Sequence, residues 1–201
     1  MRDPLSFDLY LFDVGNVVVK DITTLEATAA HYGFDLDALS FDYEHYAFPL
    51  MDGTIDSSCY WDHVHHQFGI KVDGDPLATF FHPSWNEPVR QLIEKLRLLG
   101  KRVACGSNTY EPHWVHLQSH GFLSLFDAQY ASHEMGISKP ATQFFTTILE
   151  AEQLRPDQVF FVDDSIENVQ AAHNLGITAI AYAFDDVLDR YFSSVCMPSE
   201  P

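Results

Sequence analysis

The sequence predicts an α/β protein with a Rossmann-like parallel sheet, helices on both faces, and an inserted all-helical segment. Three observations carry this. Short apolar runs alternate with helical periodicity from residue 89 to 182, an isolated apolar run at 9–14 precedes them, and between about 20 and 88 only amphipathic helical patterns occur. Strands alternating with helices build parallel sheets covered on both sides. A chain of 201 residues, 46% hydrophobic and 14% aromatic, is long enough to bury a full core.

The elements follow in order. Leu9, Tyr10, Leu11, Phe12, Asp13 and Val14 read as a buried strand ending near an acidic group, with Gly15 and Asn16 as the turn. Helices are expected at about 22–32, 36–46 and 57–68, with a short piece at 77–81; Asp56, Ser57 and Ser58 offer a cap before the third. Val89, Leu92, Ile93, Leu96 and Leu99 have helical spacing, and Gly100 stops that helix. A strand at 101–105 is then broken by Gly106, Ser107, Asn108 and Thr109, and Pro112 suits the first turn of the next helix. Strand 126–131, helix 140–154, strand 159–162, helix 167–175 closed by Gly176, and strand 178–182 complete the alternation, and residues 197–201 are expected to fray.

Acidic residues outnumber basic ones 29 to 11, a net charge of −18 that repels phosphate backbones and anionic lipid. Nucleic acid and membrane are therefore not expected partners; oligomeric state is not legible. No stretch reaches the roughly 20 apolar residues of a membrane span, and residues 1–11 lack a basic segment followed by a long apolar run. Cys59, Cys105 and Cys196 form no C-x-x-C pair, which suits a reducing cytoplasm.

Ligands of open parallel sheets bind beyond the carboxyl ends of the strands. There the sequence places Asp13, Ser107 with Asn108, Lys139, and Asp163 with Asp164. Each alone is an ordinary turn or helix-cap residue. Together they supply a carboxylate, a hydroxyl with backbone donors, an ammonium and a carboxylate pair at one sheet edge, which suits handling of a phosphoryl group.

In this order the motifs Phe12-Asp13-Val14-Gly15-Asn16-Val17, Ser107-Asn108-Thr109, Lys139-Pro140 and Val162-Asp163-Asp164-Ser165 with Asn168 resemble the haloacid dehalogenase superfamily of phosphohydrolases. The resemblance implies an α/β core formed by residues 1–19 and 86–201 and a small helical cap at 20–85, where the Asp52-Gly53-Thr54-Ile55 turn is similar to one common in such caps. It implies that Asp13 attacks phosphorus and forms an aspartyl-phosphate. Magnesium is then the expected cofactor, held by Asp13, Asp164 and the Gly15 backbone carbonyl. Asp163 orients the site with Asn168 behind it, while Ser107, the Asn108 backbone N–H and Lys139 hold the transferring group. A small phosphorylated metabolite is the implied substrate.

Gly15 departs from the pattern, because most phosphatases of this superfamily carry a second aspartate there to protonate the leaving oxygen. The Asp-x-Gly-Asn-Val subset it resembles includes enzymes acting on sugar phosphates such as glucose 1-phosphate. An anomeric, acyl or aryl oxygen needs less protonation, so sugar 1-phosphates are favoured. His133, Glu134 or a histidine among His63, His65 and His66 could supply the missing proton transfer; a zinc site there lacks further ligands. Tyr43, Tyr46, Phe48, Tyr60 and Trp61 read as cap core. Two other readings stand beside the phosphatase: a 2-haloacid dehalogenase-type hydrolase needing no metal, and a catalytically weak phosphate-binding protein.

Overall fold

Leu9–Phe12 (β1) is apolar at all four positions, and all four are buried, so it can only be an interior strand. The computed structural model describes residues 3–193; Cys196 and the expected fraying at 197–201 lie outside the described residues. Val19–Lys20 (β2) follows β1, then come helices α1 (Thr24–Tyr32), α2 (Leu36–Met51), α3 (Ser57–Phe68) and α4 (Pro76–Thr79). Ser84–Trp85 (β3) pairs antiparallel with β2, so a two-stranded ribbon brackets the helical segment.

The chain then alternates through α5 (Glu87–Leu98), β4 (Arg102–Ser107), α6 (Glu111–Ser119), β5 (Ala128–Ala131), α7 (Ser132–Met135), α8 (Thr142–Glu152), β6 (Val159–Asp163), α9 (Ile166–Leu175), β7 (Thr178–Ala181) and α10 (Val187–Phe192). Among the described residues the main sheet has five parallel strands in the order β5-β4-β1-β6-β7. The period of two along the strands divides its faces: Tyr10, Phe12, Phe160 and Val162 enter one core layer, Leu9, Leu11, Val159 and Phe161 the other. Each such fully buried large side chain contributes roughly 1.5–3 kcal/mol. The segment containing α1 to α4 has its own core around Leu39, Leu50, Tyr60, Trp61, Val64 and Leu77, joined by Tyr110 from the sheet side. No described helix is long and apolar enough to cross a membrane.

Element boundaries moved where pairing or packing overrode local signals. β4 does not break at Gly106 but runs on to Ser107, because Gly106 and Ser107 pair with Tyr130 and Ala131 of β5. Glycine is required for packing there: a Cβ on Gly106 would lie 3.2 Å from Phe144 and 3.3 Å from Ile148. β5 starts at Ala128, since Phe122–Leu125 is a 3-10 turn. α2 continues past Tyr46 through Pro49 to Met51. Phe48, expected in the helical core, is 52% exposed on that extension, whereas Tyr60 and Trp61 are buried and Tyr43 and Tyr46 pack against them. Asp56 does cap α3, its carboxylate accepting from the Cys59 N–H.

Candidate active site

All five parallel strands end at one edge, and the first residue beyond β1 is Asp13. The Asp13 N–H still bonds the Val162 carbonyl at 2.8 Å, so the sheet's hydrogen bonding sets its position. The chain then turns tightly, with Val18 and Val19 N–H groups both donating to the Val14 carbonyl. Asn16 takes the left-handed conformation (φ 55°), which asparagine tolerates, and its amide donates to Asp164 Oδ2 at 3.1 Å. That link between the first and fourth motifs was not foreseen from the sequence, although Asn16 stood in the quoted motif.

Lys139 is 1% exposed, and its Nζ donates at 2.7 Å to both Asp13 Oδ1 and Asp163 Oδ2. The other oxygen of Asp163 accepts from the Ser165 N–H at 2.8 Å and from the Asn168 amide at 2.9 Å. Asp163 is therefore saturated by three donors on two sides. Asn108 clasps the Lys139 peptide, accepting from its N–H and donating to its carbonyl, both at 2.8 Å, next to a cis Lys139–Pro140 bond. The neighbouring Ser132 hydroxyl does the same for Thr109, accepting from its N–H at 2.9 Å and donating to its carbonyl at 3.0 Å. Ser107 is 3% exposed at the tip of β4.

Burial raises the Asp13 carboxyl to about 7, with Lys139 pulling it down and the like charges of Asp163 and Asp164 pushing it up. Burial alone would lower the Lys139 ammonium, but Asp13 and Asp163 outweigh it and hold it above its ordinary value. Burial likewise raises Asp164, with Asp163 adding to the effect and the Asn16 amide opposing it. Oxygens of Asp13, Asp163 and Asp164 lie within 4.8 Å of one another. Three carboxyl groups against one ammonium make a hard, oxygen-rich, electronegative cluster suited to a small divalent cation.

The structure thus brings Asp13, Lys139, Asp163, Asp164 and Asn168 together, with Ser107 and Asn108 on the adjoining strand end and Gly15 in the turn after Asp13. The histidines of α3 lie elsewhere: His63 bonds Asp42 at 2.8 Å and Tyr46 at 3.1 Å, His66 bonds the Asp62 carbonyl, and His65 is exposed. His133 Nδ1 contacts the Thr109 carbonyl at 3.2 Å, and Glu134 is exposed. Two contacts tie the helical segment to the site loops, and sequence could not disclose them. The Ser138 hydroxyl donates to Asp52, and Gly53 (φ 67°) comes so close that a Cβ would sit 2.8 Å from the His133 carbonyl oxygen.

An open parallel sheet with a buried carboxylate–ammonium–carboxylate array beyond its central strands defines a hydrolase-type α/β site. Residues 7–176 match the family model for haloacid dehalogenase-like hydrolases, and the chain belongs to that family. Among curated proteins it is similar to sesquiterpene phosphatase astK of Aspergillus oryzae, 27% identical over 173 residues, covering 73% of this chain and 86% of that protein. It is also similar to drimenol cyclase drtB of Aspergillus calidoustus, 27% identical over 139 residues, covering 69% of this chain but only 25% of that protein. Among solved structures, a HAD family enzyme of Bacteroides thetaiotaomicron in complex with magnesium and inorganic phosphate shares the fold at TM-score 0.76 and 22% identity, covering 92% of this chain and 98% of that one.

Proposed function

We propose that the protein is a magnesium-dependent phosphohydrolase that dephosphorylates a small phosphorylated metabolite through an aspartyl-phosphate on Asp13. The observation that carries this reading is the array of Asp13, Lys139 and Asp163 at 2.7 Å spacings, with Asp164 beside it. In the reaction the Asp13 oxygen forms a bond to phosphorus as the bond to the leaving oxygen breaks, and water then opens the acyl phosphate. Lys139 neutralises and aims Asp13, and Asp163 with Asn168 holds Lys139 in place. Ser107 and the Asn108 N–H line the β4 tip, where they serve the phosphoryl oxygens. Asp13, Asp164 and the Gly15 carbonyl are the groups that would hold magnesium, which offsets the repulsion between carboxylate and phosphate. A dehalogenase needs no cation, and Asp164 would then be an idle negative charge.

The helical segment at 20–85 serves as a cap, and Cys59 and Cys105, neither in a disulfide among the described residues, suit a cytoplasmic enzyme. Both the resemblance to phosphatases and the sesquiterpene phosphatase relative point to a phosphomonoester. The test is hydrolysis of acetyl phosphate with magnesium, and with a chelator, while digests are searched for phosphorylated Asp13. Phosphate release that the chelator abolishes is expected; release indifferent to the chelator would overturn the reading.

Gly15 leaves the leaving oxygen without an acid, which favours anomeric, acyl or aryl oxygens, sugar 1-phosphates among them. A Cβ at Gly15 would meet Ile22 Cδ1 at 3.5 Å, an ordinary contact, so a longer side chain needs Ile22 to give way. We expect Gly15→Asp combined with Ile22→Ala to speed hydrolysis of simple alkyl phosphates by about 10²-fold or more, the usual worth of a positioned acid. Aryl phosphates should gain far less in the same rate comparison.

A further inference from the structure

The turn that closes α2 reaches out of the helical segment to the loop that carries Lys139. It is a stiff turn: the Pro49 carbonyl accepts from the Thr54 N–H at 3.0 Å, from the Thr54 hydroxyl at 2.9 Å and from the Ile55 N–H at 3.2 Å. Asp52 and Gly53 lie inside that ring of bonds, so their positions are set by the helix end. The Asp52 carboxylate accepts from the hydroxyl of Ser138, a residue only 5% exposed and the immediate neighbour of Lys139. Gly53 packs on the other end of the same loop, against the His133 carbonyl, with no room for a Cβ. The turn thus holds the stretch 133–138 at both ends.

That stretch is bonded to the loop after β4 as well. Asn108 clasps the Lys139 peptide from both sides, and Ser132 clasps Thr109 in the same way. The Ser138 carbonyl accepts from the Ala141 N–H at 3.1 Å, which ties it to the start of α8. A displacement at Ser138 therefore passes along the backbone to Lys139, whose ammonium sits between Asp13 and Asp163, and through the clasp to Asn108. If Asp52 withdrew, the buried Ser138 hydroxyl would lose its acceptor, a loss that keeps the turn seated.

We propose that Asp52 and Ser138 are a positioning pair: the hydrogen bond between them fixes the backbone beside Lys139 and so aims its ammonium at Asp13, which makes the helical segment a contributor to the rate of phosphoryl transfer. The inference rests on the phosphohydrolase reading and adds two residues to its machinery. Neither residue supplies a proton or a nucleophile. Their contribution is geometric, and a misplacement of about 1 Å in a reacting array can cost about 10²-fold in rate.

The test reads turnover of saturating acetyl phosphate with magnesium beside the melting temperature. Ser138→Ala and Asp52→Ala are each expected to lower kcat about ten- to a hundredfold. The double variant should be no slower than the slower single variant, because the same bond is lost in all three. Asp52→Asn keeps an oxygen that accepts from Ser138 and should recover most of the rate. Asp56→Ala, which removes the cap of α3, should lower the melting temperature while kcat holds, separating a weakened helical segment from a misaimed lysine. A wild-type kcat in Ser138→Ala, losses that multiply in the double variant, Asp52→Asn as slow as Asp52→Ala, or an equal loss of kcat in Asp56→Ala would overturn the pairing and leave the phosphohydrolase standing. Failure of the wild type to hydrolyse acetyl phosphate would remove both.

Discussion

Asp13→Asn is expected to reduce phosphate release by about 10⁴-fold or more, since an amide oxygen cannot serve as the nucleophile. The same change should stabilise the metal-free protein. In the fold, Asp13 is buried and titrates at about 7, against 3.8 for the ordinary side chain. Between those values the folded chain keeps a proton that the unfolded chain has released. The folded state therefore binds more protons, and stability falls as pH rises through that window. Asparagine carries no charge, keeps an oxygen to accept from Lys139, and removes the slope. Melting curves from pH 4 to pH 8 without divalent ions check this: the wild type should lose stability across the range, and the variant should lose clearly less. Equal slopes would contradict the assignment of a buried, raised carboxyl at this position.

Lys139→Met carries the largest expected cost to the fold. Its ammonium is the shared partner of Asp13 and Asp163, both buried. Removing one member of a buried ion pair leaves an uncompensated charge, at a cost of about 3–5 kcal/mol. Asp13, which burial raises, would then lose the ammonium that pulls it down and would take up a proton more readily, so the penalty should shrink as pH is lowered. Urea midpoints of variant and wild type at pH 8 and pH 5 measure it. A gap no wider at pH 8 than at pH 5 would mean that Lys139 does not neutralise these two acids.

Much of the fold was legible because it is written in local chemistry. Runs such as Leu9–Phe12 and Val159–Asp163 bury every residue, and an all-apolar strand flanked by helical periodicities has few other solutions. Gly33, Gly69 and Gly176 end helices in the left-handed conformation and are readable as stops. The two-residue strands of the β2–β3 ribbon left no such trace: neither has a period of its own, and each exists only through pairing across the inserted segment. The continuation of β4 through Gly106 was hidden for a related reason, since glycine reads locally as a break while its packing against Phe144 and Ile148 is a long-range fact.

For the site, sequence by itself placed Asp13, Ser107 and Asp163 at strand ends, because strand and turn patterns set those positions residue by residue, whereas Lys139, expected just beyond the third strand, follows the intervening helix α7. Tertiary structure alone decided what each group does to its neighbours. It placed Lys139 between two acids that lie 126 and 24 residues away, joined Asn16 to Asp164 across 148 residues, and set Ile22 against Gly15. The physical reason is range: backbone propensity acts over a few residues, whereas burial, charge pairing and cavity shape come from packing segments far apart in the chain.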